Sequence, residues 1–339
     1  MNSRVIKFVA GAGKTTYSED YLKNNRNGIY LAFNNSVVDE LKNKGYLCKT
    51  IDSLFFSYII PKFTSAIPLI ANGAQIKYND GKNSPKGLAN IRIEKDGVIY
   101  NRGTRTNINL SIRNEDLYKM KNFVNSYFIK SIFTQNSLYI NNKQIGELSY
   151  YIIKKYPKEL VEFLENRFDY IIIDEAQDLK GYREDFAKLL YNSNFKLILL
   201  GDDNQNINGG GNWFEKLGAD ESNTQTYRCT EKVCEWIRQN LNIEIHGNSS
   251  DGEVKNIKFS EVLNYNDGKR VLLYSANAGK NKDIISKWKG KKETIKSSKG
   301  STIEEDVVIL SDILNKKNLY TAITRTKRNA YSVVRKINE

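Results

Sequence analysis

A glycine-rich turn, Gly11-Ala12-Gly13-Lys14-Thr15-Thr16, follows directly on the apolar run Val5-Ile6-Lys7-Phe8-Val9. A strand running into such a turn and then a helix leaves few folds open. The turn's backbone N–H groups and the positive end of the helix together cradle phosphate oxygens. Lys14 then reaches the β and γ phosphates of a triphosphate, and the Thr15 hydroxyl is placed to ligate magnesium. A second apolar run, Tyr170-Ile171-Ile172-Ile173, ends on Asp174-Glu175-Ala176-Gln177-Asp178. Open α/β sheets gather ligand chemistry at the carboxyl ends of their strands. Asp174 is therefore expected to hold the magnesium, and Glu175 to orient and deprotonate an attacking water.

Strand-like runs alternate with amphipathic stretches at both ends of the chain, the pattern of a parallel sheet flanked by helices. After the phosphate loop a helix is expected to about Asn24, then the strand Ile29 to Phe33, a helix across Ser36 to Lys44 and a strand near Leu47 to Thr50. Tyr170 to Ile173 and Lys196 to Leu200 belong to the same sheet. Between about 62 and 167 the style changes to short alternating strands punctuated by Asp96-Gly97 and Asn101-Arg102-Gly103, then to helical periodicity over Asp116 to Phe133. That reads as an inserted α+β subdomain. It holds 17 Lys and Arg against 9 Asp and Glu, +8 of the chain's +13. From about Asn206 a second α/β unit follows, with runs Arg270 to Ser275, Val307 to Leu310 and Ala330 to Val334 and no phosphate loop of its own. The expected division is 1–205 and 206–339, with one nucleotide clamped between the two.

Net charge of +13 points to a polyanionic partner, and beside a nucleotide motif it favours nucleic acid over a membrane surface. The apolar stretch Leu54 to Ala71 is broken by Pro61, Lys62 and Pro68, which argues against a spanning helix. The opening residues lack the pattern of a secretory signal, so a soluble protein in the cytoplasm or nucleus of a cell or host is expected. Cys48, Cys229 and Cys234 make neither a zinc site nor a disulfide framework beside the lone His246, and read as buried free thiols. One histidine in a Gly/Asn/Ser stretch also argues against a Ser/His/Asp hydrolase.

Gly201-Asp202-Asp203-Asn204-Gln205 follows the run Lys196 to Leu200, which puts Gln205 within reach of a γ phosphate or its water. Thr226-Tyr227-Arg228 precedes a helix through Trp236 and Ile237, and Tyr320 to Lys327 lies near the end. Each offers an arginine, Arg228 and Arg325, to a transition state. Trp213 and Phe214 are candidates either for base stacking or for core packing.

With these motifs in order, the sequence resembles the superfamily 1 helicases, and among them the UvrD/Rep type. The resemblance runs through GAGKTT, Leu31-Ala32-Phe33-Asn34-Asn35, Thr50-Ile51-Asp52-Ser53-Leu54, DEAQD, GDDNQ, Gln225-Thr226-Tyr227-Arg228, Thr294 to Leu310 around Ser298-Lys299-Gly300, and YTAITRTK. It implies two RecA-like P-loop NTPase domains, ATP and Mg²⁺ as ligands, and translocation or unwinding on single-stranded nucleic acid, DNA before RNA. It assigns Lys14 and Thr15 to phosphate and magnesium, with Gly11, Ala12, Gly13 and Thr16 completing the loop. It also implies Asp174 for the metal, Glu175 as base, Gln205 as γ-phosphate sensor, Arg228 and Arg325 as arginine fingers, and Tyr227 as a stacking surface for the base. Phe33, Asn34, Thr50 and Ser53 on the first domain, and Thr294, Ser297 and Ser298 on the second, would face the strand, with Trp213 as a further stacking candidate.

The chain departs from the family where Asp52 and Lys296 replace a common histidine, and where Asn206 to Gly211 replaces an aromatic. About 65 residues between Arg228 and Thr294 are too few for the large second insertion of bigger relatives. Two other readings stay open at this point. One is an RNA helicase, or an ATPase stimulated by nucleic acid without unwinding. The other is a non-catalytic nucleic-acid-binding scaffold derived from a helicase.

Overall fold

The computed structural model describes residues 3–33, 35–63, 137–248, 251–275, 281–310 and 315–333. It also describes the strand segments 75–78, 88–89, 91–93, 99–101, 107–108 and 132–134. Two parallel sheets organise them, and helices flank both. The first has six strands in the order Glu221–Asn223, Arg4–Phe8, Leu197–Gly201, Tyr170–Ile173, Gly28–Ala32, Cys48–Thr50. Its register sets Val5 beside Leu199, and Ile171, Ile172 and Ile173 beside Ile29, Tyr30 and Leu31. Strands buried on both faces need apolar residues at every position, which is why these segments read as continuous runs rather than alternating ones.

Alternate side chains of that sheet enter different cores. Val5, Leu31, Ile171, Ile173 and Leu199 pack against the helices Asn142–Lys155, Pro157–Glu165 and Tyr182–Tyr191. Ile6, Tyr30, Ile172, Ile198 and Leu200 face the opposite way, into a cluster that also contains Val233, Ile237, Val271, Ile309, Leu319, Tyr320 and Ile323. The second sheet has five parallel strands in the order Val254–Ile257, Ala330–Val333, Val307–Leu310, Val271–Tyr274, Lys292–Thr294. One apolar cluster thus joins the two sheets through the helices Glu231–Leu241 and Lys316–Ile323. The expected α/β class with two parallel sheets is what the chain adopts.

The first sheet's edge strand lies at Glu221–Asn223, beyond the expected 205/206 division. Within 62–167 the described strands form a mixed four-stranded sheet and a small antiparallel one, Ile91–Ile93, Ile99–Asn101 and Asn107–Ile108. The helix expected over Asp116 to Phe133 lies outside the described residues except at its end, where Ile132–Thr134 is a strand. From Ile140 onward the chain is back in the first core, and a capping box of Asn141 with Gln144 starts the helix Asn142–Lys155 there. Cys48, Cys229 and Cys234 are buried free thiols. Among the described residues no helix is long and apolar enough to cross a membrane.

Candidate functional site

The phosphate loop leaves Arg4–Phe8 at the carboxyl edge of the first sheet and turns into the helix Lys14–Asn24. Gly11 and Gly13 have φ of 72° and 86°, conformations that a side chain resists. Space excludes a larger residue as well. A Cβ on Gly11 would lie 2.7 Å from Arg228 Cβ and 2.8 Å from Thr226 Oγ1, so the strand Gln225–Thr230 presses on the loop. The Tyr227 N–H donates to the Gly11 carbonyl at 3.0 Å. The Tyr227 ring stands beside Gly13 and is 69 % exposed, a flat apolar face available to a base.

At the end of Tyr170–Ile173 the two expected carboxylates diverge. Asp174 is buried, with Oδ2 accepting from the Tyr30 hydroxyl at 2.6 Å and Oδ1 from the Glu175 N–H at 2.8 Å. Burial and the adjacent Glu175 raise its pKa. Glu175 sits at φ 51°, a left-handed conformation costly for a residue with a Cβ, and its carboxylate lies between lysines of the two units. Its Oε1 is 3.6 Å from Lys14 Nζ and its Oε2 is 3.4 Å from Lys299 Nζ; Gln177 Nε2 also donates to Oε2. Burial pushes the Glu175 carboxyl up, yet Lys14, Lys299 and the Gln177 bond outweigh it and hold the group well below the usual carboxylate range. Lys14 shows the reciprocal effect: burial lowers its pKa, but Glu175, Asp174 and Asp202 carry it above the ordinary value.

The second unit closes the cleft. Arg325 is 2 % exposed, donates through Nη2 to Gln205 Oε1 at 3.3 Å and through Nε to the Thr321 carbonyl at 3.0 Å. Burial and the neighbouring Arg228 bring its pKa down to about 10. Arg228 Nη1 donates to the Thr324 carbonyl at 3.0 Å, which aims both guanidinium groups from one corner. Gly11 to Thr16, Asp174, Glu175, Gln205, Tyr227, Arg228 and Arg325 line a single cavity of about 360 Å³. All the residues assigned to nucleotide and catalysis therefore meet.

The residues expected to face a strand divide. Phe33, Thr50 and Ser53 line a second cavity of about 480 Å³ together with Asp52, Phe56, Tyr78 and Arg183, and Phe33 is a wall of both cavities. Asn34 lies outside the described residues. The Thr50 hydroxyl accepts from the Ser53 N–H at 3.1 Å, which caps the short helix that follows. Asp52 does not stand free in place of the family's histidine. Its two oxygens take the Arg183 Nε and Nη2, each at 2.6 Å, and the Tyr182 hydroxyl.

On the second unit Thr294 and Ser297 share a hydroxyl hydrogen bond at 2.8 Å at the surface. Ser298 is fully buried and donates to the Ile295 carbonyl at 2.9 Å. Neither these three nor Trp213 line the second cavity. Phe214 is core, and Trp213 packs edge-on against the Tyr191 ring at 5.7 Å.

Three participants carried no role in the sequence reading. Lys299 lies within the Ser298-Lys299-Gly300 motif, where a lysine before a glycine gave no sign that it crosses to another unit. Its Nζ is 2.6 Å from Asp178 Oδ2 and 2.8 Å from the Gln205 carbonyl. Tyr30 and Tyr320 look like core aromatics in the sequence, yet each brings a hydroxyl to a carboxylate of the site.

Residues 88–209 match the family model of the UvrD/REP helicase N-terminal domain. A RecBCD enzyme subunit RecB from Borreliella burgdorferi is 26% identical over 243 residues, covering 65% of this chain and 19% of the relative, so the chain spans about a fifth of its length. Two solved structures also overlay on the chain. The arterivirus nonstructural protein 10 helicase does so with a TM-score of 0.49 and 13% identity, covering 99% of this chain and 60% of that one. The PRRSV helicase has a TM-score of 0.47 and 14% identity, covering 98% and 52%. The family match takes in DEAQD and GDDNQ, two of the motifs that carried the resemblance, while the phosphate loop lies before it. The chain is thus similar over residues 88–209 to the UvrD/REP helicase N-terminal domain, and distantly similar to RecB over a longer stretch.

Proposed function

We propose that the chain hydrolyses ATP with Mg²⁺ in the cleft between its two sheets and uses the cycle to move along single-stranded nucleic acid, DNA in preference to RNA, separating duplexes as it goes. The observation that carries the reading is the convergence of cations from the second unit on the first unit's catalytic groups. Arg325 reaches Gln205 at 3.3 Å and Lys299 reaches Glu175 at 3.4 Å. An arginine finger contributes about 10³ to 10⁵ in rate, so hydrolysis depends on how the two units sit.

The residues present fit a magnesium triphosphate. Two left-handed glycines shape an anion cradle, and Asp174 supplies a buried carboxylate beside Thr15 and Lys14. Thr15 and Asp174 would hold Mg²⁺, with phosphate oxygens and water completing its shell, and the ion would neutralise charge on the β and γ phosphates. Lys14 binds the phosphates and Tyr227 stacks on the base. Glu175 takes the proton of the attacking water. Phosphate oxygens compete for Lys14 and Lys299, and as those lysines leave Glu175 its basicity rises. Arg228 and Arg325 meet the charge that develops on the transferred phosphoryl group.

Phe33, a wall of both the nucleotide cavity and the cavity lined by Thr50 and Ser53, supports coupling between nucleotide and strand. The chain's +13 charge supports a polyanionic track. Retention of Lys14, Asp174, Glu175, Gln205 and both arginines weighs against a scaffold without catalysis. The test is ATP hydrolysis with and without single-stranded DNA or RNA, together with unwinding of duplexes carrying a 3′ or a 5′ tail. Stimulated hydrolysis and unwinding of one tail polarity are expected. Absence of hydrolysis under every condition would remove the reading.

A further inference from the structure

The Gln205 side chain is 2 % exposed and has two partners of opposite character. Its Nε2 is 2.9 Å from Asp202 Oδ2, and its Oε1 is 3.3 Å from Arg325 Nη2. A carboxylate only accepts and a guanidinium only donates, so the amide has one orientation, nitrogen to Asp202 and oxygen to the arginine side of the cleft.

Asp202 in turn is held from several directions. Oδ1 accepts from the Asn204 N–H at 3.0 Å, and Oδ2 also accepts from the Tyr320 hydroxyl at 3.0 Å. Its own N–H donates at 3.0 Å to Gln177 Oε1, and Gln177 Nε2 bonds to Glu175. Tyr320 belongs to the helix Lys316–Ile323, which ends two residues before Arg325, and is fully buried. Its oxygen also accepts from the Ala10 N–H at 3.0 Å, at the root of the phosphate loop. Because an N–H only donates and a carboxylate only accepts, the hydroxyl's single proton goes to Asp202.

We infer that Tyr320, acting through Asp202, is a positioning residue that fixes the Gln205 amide as a hydrogen-bond acceptor in the cleft, so that Gln205 grips the attacking water rather than a γ-phosphate oxygen. A phosphate oxygen is itself an acceptor and finds no donor in Oε1, whereas a water O–H does. The device is set from the second unit. The inference rests on the hydrolysis reading above for its reaction, but the tie among Tyr320, Asp202 and Ala10 has its own readout.

Tyr320→Phe keeps the ring in its buried place and removes only the hydroxyl. Expected is a fall of about 10- to 100-fold in kcat for Mg-ATP hydrolysis with single-stranded DNA, and a KM for Mg-ATP within about twofold of wild type. Without added nucleotide, amide exchange at Ala10 and across 202–205 should rise about tenfold or more, while Val307–Leu310 stays protected. A rise in KM with kcat held would put Gln205 on the γ phosphate and overturn the inference. So would an unchanged kcat, or an equal loss of protection at Val307–Leu310, which marks a merely structural role. If the wild type hydrolyses no triphosphate, the hydrolysis reading falls by itself and exchange decides. A rise confined to Ala10 and 202–205 keeps the Tyr320 tie, and no rise removes it.

Discussion

Lys299 Nζ lies 2.6 Å from Asp178 Oδ2, an ion pair between the two units whose side chains are 8 % and 1 % exposed. The same ammonium group is 3.4 Å from Glu175, so one lysine bridges the expected base and the last residue of its motif. Breaking a buried pair leaves a charge without its partner, at a cost of about 3–5 kcal/mol. Lys299→Ala is expected to lower the urea midpoint of unfolding.

The pH dependence of that variant follows from two carboxyls. Burial raises the Asp178 pKa even with Lys299 present, and removing the lysine raises it further. A folded-state pKa above the unfolded one means that the folded state takes up the proton first. The stability deficit of Lys299→Ala therefore shrinks as pH falls from 7.5 toward the raised pKa. In the proposed hydrolysis Glu175 acts as a base in its ionised form, and without Lys299 its pKa moves up from a depressed value. The acid limb of the pH–rate profile should shift to higher pH, with relatively more activity lost near pH 6 than near pH 8.

Lys14 has its nearest charge partner within the first unit, Glu175 at 3.6 Å. Lys14→Ala is expected to reduce hydrolysis to background and leave the thermal midpoint within a few degrees of wild type. Full turnover in this variant would contradict the assigned phosphate site.

The two arginines differ in setting and should separate on mutation. The Arg228 side chain donates to the Thr324 carbonyl, whereas Arg325 is fully buried with bonds to Thr321, Ser301 and Gln205. Arg228→Ala is expected to lower kcat by about 10³-fold with little loss of stability. Arg325→Ala should lower kcat at least as much and also destabilise the fold by about 2–4 kcal/mol, read as a shifted urea midpoint.

Tyr227 is mostly exposed, so truncating it removes little from the core. If the ring stacks on the base as proposed, its loss is worth about 1–3 kcal/mol, and Tyr227→Ala should raise the KM for ATP by about tenfold with kcat near wild type. Measurements with ATP and GTP would both show it, because a ring face does not distinguish purines by their edges.

The legible parts of the sequence were those where one local segment determines its own geometry. Apolar runs fixed Tyr170–Ile173 and Val307–Leu310 to within a residue, since a strand buried on both faces has no polar position to blur its ends. The phosphate loop and the carboxylate pair were visible for the same reason. Lys299 and Tyr320 were not, because their partners lie 121 and 118 residues away along the chain. Nothing in the spacing of Ser298-Lys299-Gly300 encodes Asp178. Ser298 was misleading in another way: it belongs to a motif whose hydroxyls were expected at the surface, yet its own closes a turn within the fold. The edge strand Glu221–Asn223 escaped because its three residues are polar and make no apolar run, pairing instead through backbone bonds and a surface ion pair of Glu221 with Arg4.

The apolar cluster that runs from Ile6 and Leu200 through Ile237 and Ile323 to Ile309 constrains how the two halves can move. Parting them would wet several side chains at about 1.5–3 kcal/mol each, repeated in every cycle. A pivot about this dry seam keeps those contacts and concentrates displacement at the mouth of the nucleotide cavity, where the exposed Tyr227 stands. If the chain hydrolyses ATP as proposed, distances measured across that mouth should change by ångströms during turnover while those across the seam hold, the motion of a rocker and not of a jaw.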